Sequence, residues 1–357
     1  MKPNLIRFLT FASIMSSWGY MSIFARSLGI SDQGIGLIVA AYSLALFLSS
    51  FVFGRASDRY GRKLFLIVGL VLSGFAFFLQ IFASNFLDLL LTRVLAGFCV
   101  GIFPASLIAH VHESKKNLSK FSSFGSMGWT FGLLMAGLIA LYLSIENVFV
   151  FSSLLFIPAF LAASKMKFGE YYSVNVPALP TKIIRKNLPL YLSLLIRQSG
   201  AHMIWTFWPL FLQSLGADLF WVAGIQAING ATQFVIMYTL SQRIGYNSSI
   251  AGGLIMTGVT FFSFTVAANF WQIMPAQVLL GVSWALLYVG GLRYLMHRNA
   301  EKATVSGLFD SALSLSSIIG PLIGTMVISF SSYHTIMYLA SVLAFVSFLL
   351  FRFLSRE

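Results

Sequence analysis

The residues of this 357-residue chain that could do chemistry are charged and amide side chains set inside long apolar runs. Arg93 and Arg197 are two of them, and Asp310 is the one acid clearly within such a run. In a lipid-facing helix a single arginine costs ~2.5–3.5 kcal/mol on insertion scales. Arg93 is therefore expected either to face a wet cavity or to reach outward toward Asp88. Gln226, Asn229 and Gln233 lie at i, i+3 and i+7, on one helical face. Amides with unmet hydrogen bonds are costly in hydrocarbon, so that face suits a water-filled cavity wall or a helix–helix contact. Thr10, Ser13, Ser17 and Tyr20 make a similar stripe. Asp310 shares a face with Ser314 and Ser317, and fits either a proton carrier or a gate residue paired with Arg55, Arg59 or Arg293. His202 and Trp205 follow Arg197 by about a turn or two. A lone histidine there is more often packed than catalytic. Trp129, Trp208, Trp284 and Tyr288 are also deep in their runs, where core packing accounts for them or they line an aromatic pocket.

Such side chains need elements that hold them inside a membrane. The chain is 58% hydrophobic and 9% charged, against about a quarter charged in soluble domains. A spanning helix needs ~20 apolar residues. That rule predicts twelve spans, at 5–27, 33–54, 64–84, 87–110, 121–143, 146–164, 188–213, 219–242, 248–268, 271–296, 304–329 and 333–354. The first run is too long for a signal sequence and lacks a cleavage site of small residues, so it reads as a retained helix. The single cysteine, Cys99, excludes a disulfide framework or a cysteine metal cluster and reads as packing.

Charge distribution orients the spans. The net charge of +13 could suggest nucleic acid, but the basic residues sit in short runs between apolar stretches rather than on a polar module. Loops on the side of the N-terminus hold Lys2, Arg7, Arg55, Arg59, Arg62, Lys63, Lys115, Lys116, Lys120, Arg243, Arg293, Arg298, Lys302, Arg352 and Arg356. The opposite loops hold Arg26 and the acids Asp32, Asp88, Glu146 and Asp218. The positive-inside rule then places both termini in the cytoplasm. The stretch 165–187, with Pro177, Pro180 and five basic residues, reads as a cytoplasmic linker between a bundle at 1–164 and another at 188–357.

The two halves resemble each other. Phe24–Gly29 ends span 1 as Phe211–Gly216 ends span 7, at an offset of 187 that also places Trp18 on Trp205 and Thr10 on Arg197. Arg93-Val94-Leu95-Ala96-Gly97 matches Gln277-Val278-Leu279-Leu280-Gly281 at an offset of 184. The most specific segment is Gly54-Arg55-Ala56-Ser57-Asp58-Arg59-Tyr60-Gly61-Arg62-Lys63, between spans 2 and 3. Gly54 and Gly61 permit a tight turn and close approach. Asp58 can accept hydrogen bonds from a helix N-terminus.

This segment resembles the loop between helices two and three of the major facilitator superfamily, and Arg93, Gly97 and Gly101 resemble that family's helix-four motif. The resemblance implies an all-α membrane protein of twelve transmembrane helices, built as two pseudo-symmetric six-helix bundles around a midplane cavity. It implies that Asp58 meets helix 11 near Thr304–Gly307, and that Arg62 pairs with Glu113. Gly54, Asp58, Arg59, Gly61, Arg62 and Glu113 would then form a cytoplasmic gate. Arg93, Arg197, Gln226, Asn229, Gln233, Asp310, Tyr20 and Trp205 would line the cavity or serve coupling. Gly125, Gly128 and Gly132 stand where the family's drug antiporters carry a Gly-Pro pair, and the proline is missing; Gly320-Pro321-Leu322-Ile323-Gly324 occurs in span 11 instead. No Gly-x4-Gly-Lys-Ser/Thr phosphate loop occurs, so the energy is expected from a gradient. The expected activity is secondary transport of a small solute by alternating access, with proton coupling as an expectation and the direction, import or export, left open. A sensor or membrane enzyme is the alternative, but no nucleophile, base and orienter cluster is present. No cofactor, metal or nucleic acid is expected; the partners are the solute, protons and the lipid bilayer, around a monomer. Arg93 and Arg197 without an equally buried acid would suit an anionic or polyhydroxyl solute, and an aromatic lining an amphipathic one.

Overall fold

The computed structural model describes residues 2–168, 179–217, 219–240, 243–328 and 330–355. Much of the expected linker, including Pro177, falls outside these, as do Asp218 and Arg356. The described residues form twelve long helices. In chain order they are α1 (Lys2–Ser27), α2 (Asp32–Tyr60), α3 (Arg62–Phe82), α4 (Phe86–Glu113), α5 (Leu118–Tyr142) and α6 (Ile145–Ser164). The series continues with α7 (Thr181–Ser214), α8 (Leu219–Thr239), α9 (Tyr246–Thr265), α10 (Phe270–Arg298), α11 (Lys302–Ile328) and α12 (Tyr333–Leu354). Nine of them are long and apolar enough to cross a membrane by length and composition alone. The remaining three, α1, α7 and α8, carry the serine–threonine stripe, Arg197 and the three amides. Phe75, Leu91, Leu134 and Phe262 stand exposed on outer helix faces, the pattern of a surface that lipid covers.

Local chemistry sets the ends. Ser31, Asn85, Asn117 and Ser144 cap α2, α4, α5 and α6 by accepting a first-turn N–H. Gly29 and Gly216 end α1 and α7 with φ of +74° and +84°. Ile30 N–H donates to Ala25 O at 3.1 Å, and Ala217 N–H to Leu212 O at 3.0 Å. These are the same Schellman-type closure, at the offset by which the sequence repeats. Helix α4 breaks at Phe103, just before Pro104, because proline cannot donate its missing N–H to the helix ladder.

Two expected boundaries move. The charged turn at 54–63 is helical through Tyr60, and only Gly61, at φ +101°, interrupts the chain. Helix α7 starts at Thr181, inside the expected linker. Arg197 accordingly lies about 24 Å along α7 at 1.5 Å per residue.

The chain groups into two compact units, residues 1–180 with 298–311, and 181–297 with 312–357. Within the first, α1 packs on α5 and α6, and α4 on α2 and α3; within the second, α12 packs on α7 and α9. Glycines make these approaches possible. A Cβ on Gly128 or Gly132 would stand 2.2 Å from Phe8 O or Ala12 O of α1. The glycine stripe of α5 is thus a packing face.

Candidate functional site

In the first unit, Gly54 and Gly307 let α2 cross the start of α11 with almost no gap. A Cβ on Gly307 would lie 2.3 Å from Ser50 O, and one on Gly54 2.8 Å from Ala303 O. One turn beyond Gly54, Asp58 is 1% exposed. Its carboxylate accepts Thr304 N–H at 2.6 Å, the Thr304 hydroxyl at 2.7 Å, Ala303 N–H at 3.2 Å and Arg62 Nη2 at 3.1 Å. Those backbone donors are first-turn groups of α11 that have no partner inside their own helix. Asp58 therefore caps α11 from another helix, where a carboxylate also meets the positive end of the helix dipole. Arg62 reaches on to Glu113 at the end of α4. Arg59 stays exposed, its guanidinium 5.3 Å from the Tyr60 ring.

Arg93 is 2% exposed and does not reach outward to Asp88. Its Nη1 donates to Ser17 Oγ at 3.0 Å and to Gln80 Oε1 at 3.1 Å, and its guanidinium lies 4.4 Å from the Tyr42 ring centroid. Asp88 instead accepts from the side chains and backbone at Ser84 and Asn85. Ser17 is thus one residue of the α1 stripe that meets a charge. Ser13 donates to Ser152 O of α6 at 2.7 Å, and Thr10 to Ile6 O of its own helix. Tyr20 is half-buried, its hydroxyl over Gly137.

Asp310 is half-buried near the start of α11. Arg7 of α1 is a charge that acts on it. Arg7 is no loop residue: it is 6% exposed, with its guanidinium 4.0 Å from the Phe11 ring centroid. Arg293 donates to Ile244 O at 2.8 Å in the second unit.

In the second unit Arg197 is 3% exposed. Nε and Nη2 donate to Thr257 Oγ1 at 3.2 and 3.1 Å, and Nη1 to the Gln198 side chain. The Trp284 and Phe261 rings lie 5.0 and 5.6 Å away. Asn229 donates to Gln277 Oε1 at 2.9 Å, and Gln233 donates to Asn229. The amide face of α8 is therefore in part a contact with α10. Gln226 is half-buried and outside that cluster among the described residues. His202 is half-buried against Gly320, and Trp205 packs edge-on to Trp208 at 5.2 Å. Trp208 itself sits in an apolar cluster with Phe211 and Phe264, so it is core.

Gln80, Tyr42 and Thr257 carry no motif in the sequence, and Arg7 counts there as a loop charge. A glutamine inside span 3 and an arginine inside the limits of span 1 were signals of burial, but no spacing tied either to its partner.

The family model described as Major Facilitator Superfamily matches residues 4–228 and 190–357. The multi-drug resistance efflux pump PmrA of Streptococcus pneumoniae serotype 4 is 26% identical, over 94% of this chain and 90% of PmrA. The quinolone resistance protein NorA of Staphylococcus aureus strain COL is also 26% identical, over 88% of this chain and 86% of NorA. The crystal structure of the human organic anion transporter MFSD10 superposes with a TM-score of 0.79, covering 98% of both chains at 16% identity, which speaks to fold alone. Helices of membrane-spanning length, the Asp58 cap on α11 and a family match from Asn4 to the last residue have one reading: this chain belongs to the Major Facilitator Superfamily and is a multi-pass secondary transporter.

Proposed function

We propose that this chain exports a small organic solute from the cytoplasm by alternating access, driven by protons, as a monomer in the plasma membrane. Both termini are cytoplasmic in this reading, and six-helix bundles at 1–164 and 188–357 flank a linker at 165–187. The observation that carries it is the three-donor seat of Asp58 on α11, with Arg62 as a fourth donor and Glu113 beside it. A contact of that kind closes one face and opens again once the N–H donors of α11 withdraw. The names of the two bacterial relatives, an efflux pump and a quinolone resistance protein, support export. Arg93, Arg197, Gln226, Asn229, Gln233, Tyr20 and Trp205 are the candidate substrate and coupling residues. Asp310 and Arg7 join the cytoplasmic closure. One charge moved through the membrane potential supplies ~2.3 kcal/mol per 100 mV, enough for uphill transport.

Proteoliposomes under an imposed pH gradient test this. Dye or quinolone flux should follow the gradient and fall at least tenfold in Asp58→Asn. Equal flux with and without the gradient would remove proton coupling. An Arg59→Cys variant should react with an impermeant maleimide only from inside; labelling of intact cells from outside would overturn the orientation.

A further inference from the structure

Arg197 is a cation buried inside its own unit. Its exposure is 3%, and among the described residues no carboxylate lies within ion-pair reach of it. A guanidinium has five N–H donors. Three hydrogen bonds are made, two to the Thr257 hydroxyl and one to the Gln198 amide. The Thr257 hydroxyl is already committed to Gly253 O at 2.8 Å, with Ser283 Oγ 3.1 Å away. Every acceptor is neutral, and two N–H donors remain.

The other half of the chain shows what this place needs for packing alone. By the sequence offsets of 187 and 184, Arg197, Thr257 and Ser283 fall on Thr10, Ser73 and Cys99. All three are buried, small and uncharged. At those three positions the first unit places no cation; its buried arginine, Arg93, sits further along the same helices, on Ser17 and Gln80. An arginine added there, costly in a membrane unless something compensates it, calls for an anion that comes and goes.

We infer that Arg197 anchors the anionic group of the transported solute, and that the substrate class is an aromatic organic anion. The guanidinium fork matches a carboxylate or sulfonate. The half-buried Trp284 ring beside it, with Tyr288 5.5 Å from Trp284, offers flat apolar surface for the body of such a molecule. This assignment rests on the transporter reading above and deepens it.

The test uses the purified full-length protein and three probes of one shape: 2-naphthoate, neutral 2-naphthamide and cationic 2-naphthylmethylamine. Binding is read by quenching of tryptophan fluorescence. Naphthoate should bind at least tenfold more tightly than either analogue. Arg197→Gln should abolish that preference, Arg197→Lys should keep part of it, and Arg352→Gln, an exposed cation on α12, should leave it unchanged. The wild-type comparison decides the matter even if Arg197→Gln is not recovered folded. Equal binding of naphthoate and naphthamide by the wild type would overturn the assignment, as would unchanged naphthoate affinity in Arg197→Gln. A pH gradient that moves a cationic dye in proteoliposomes but not naphthoate would leave the transporter intact and remove the anion. No gradient response by any solute would instead overturn the transport reading beneath it.

Discussion

Gly97 of α4 and Gly281 of α10 occupy the same place in their respective units. A Cβ on Gly97 would meet Tyr42 O of α2 at 2.3 Å; one on Gly281 would meet Asn229 O of α8 at 2.9 Å. The backbone positions they press against, Tyr42 and Asn229, are separated by the same offset of 187 that relates α1 to α7. One turn before each glycine stands the polar residue of the helix, and here the units part. Arg93 donates to Ser17 and Gln80. The positions matching those two acceptors are Ile204 and Phe264, both fully buried in the apolar cluster around Trp208. A guanidinium at Gln277 would find neither of those two acceptors, and the amide pairs with Asn229 instead. The repeat thus preserves where backbones touch, while charge has been redistributed: to α4 in one unit and to α7 in the other.

The comparison breaks most visibly if the two polar residues are exchanged. Gln277→Arg buries a cation where Ile204 and Phe264 replace the two acceptors of Arg93, with a penalty of several kcal/mol even after relaxation. That variant should fail to yield monodisperse protein. Arg93→Gln should cost less, about 1.5–3 kcal/mol for hydrogen bonds to a charged group, seen as a lowered thermal midpoint in detergent. Adding Phe264→Gln to Gln277→Arg should recover part of the yield by restoring an acceptor. Equal tolerance of the two single exchanges would mean that the acceptors do not govern where the charge resides.

A smaller effect sharpens the shared part of the comparison. Gly97→Val and Gly281→Val should both destabilise, by about 1–3 kcal/mol for overpacking. Gly97→Val should be the worse, because its nearest obstacle is backbone at 2.3 Å, whereas Gly281 first meets the Thr232 Cβ at 2.7 Å. Thermal midpoints of the two variants, measured side by side, check the ranking.

These contrasts also show what could be read in the sequence. Twelve apolar runs were legible because lipid demands length and apolarity of every helix that crosses it. The Asp58, Arg62 and Glu113 contacts were legible only through the resemblance of the 54–63 segment to the family's loop between helices two and three. The extension of α2 to Tyr60 was not, since a hydropathy rule stops at the first charge while a helix continues until its backbone is broken, here at Gly61. The Arg7 side chain was grouped with loop charges because it stands so near the N-terminus, although burial places it inside α1. Gln80 and Ser17 meet Arg93 only through tertiary packing, and nothing in a single chain links residues 17, 80 and 93.

The smallest expected effect tests the claim that Arg197 is the addition in the second unit. Thr257 and Ser73 are matched by the offset of 184, and both are fully buried hydroxyl residues on the third helix of their half. The Thr257 hydroxyl accepts twice from Arg197. The Ser73 hydroxyl has no partner among the described residues. Removing a hydroxyl that satisfies a buried cation leaves that cation short of an acceptor, at a cost of about 1–3 kcal/mol; removing one that satisfies nothing is close to neutral. Thr257→Val, which keeps the shape, should lower the thermal midpoint clearly, and Ser73→Ala should leave it within about 0.5 kcal/mol of wild type. The Thr257→Val deficit should also vanish in an Arg197→Met background, because the two changes act through one hydrogen-bonded pair. If the two substitutions add independently, Thr257 is a packing residue and the guanidinium is held by other groups.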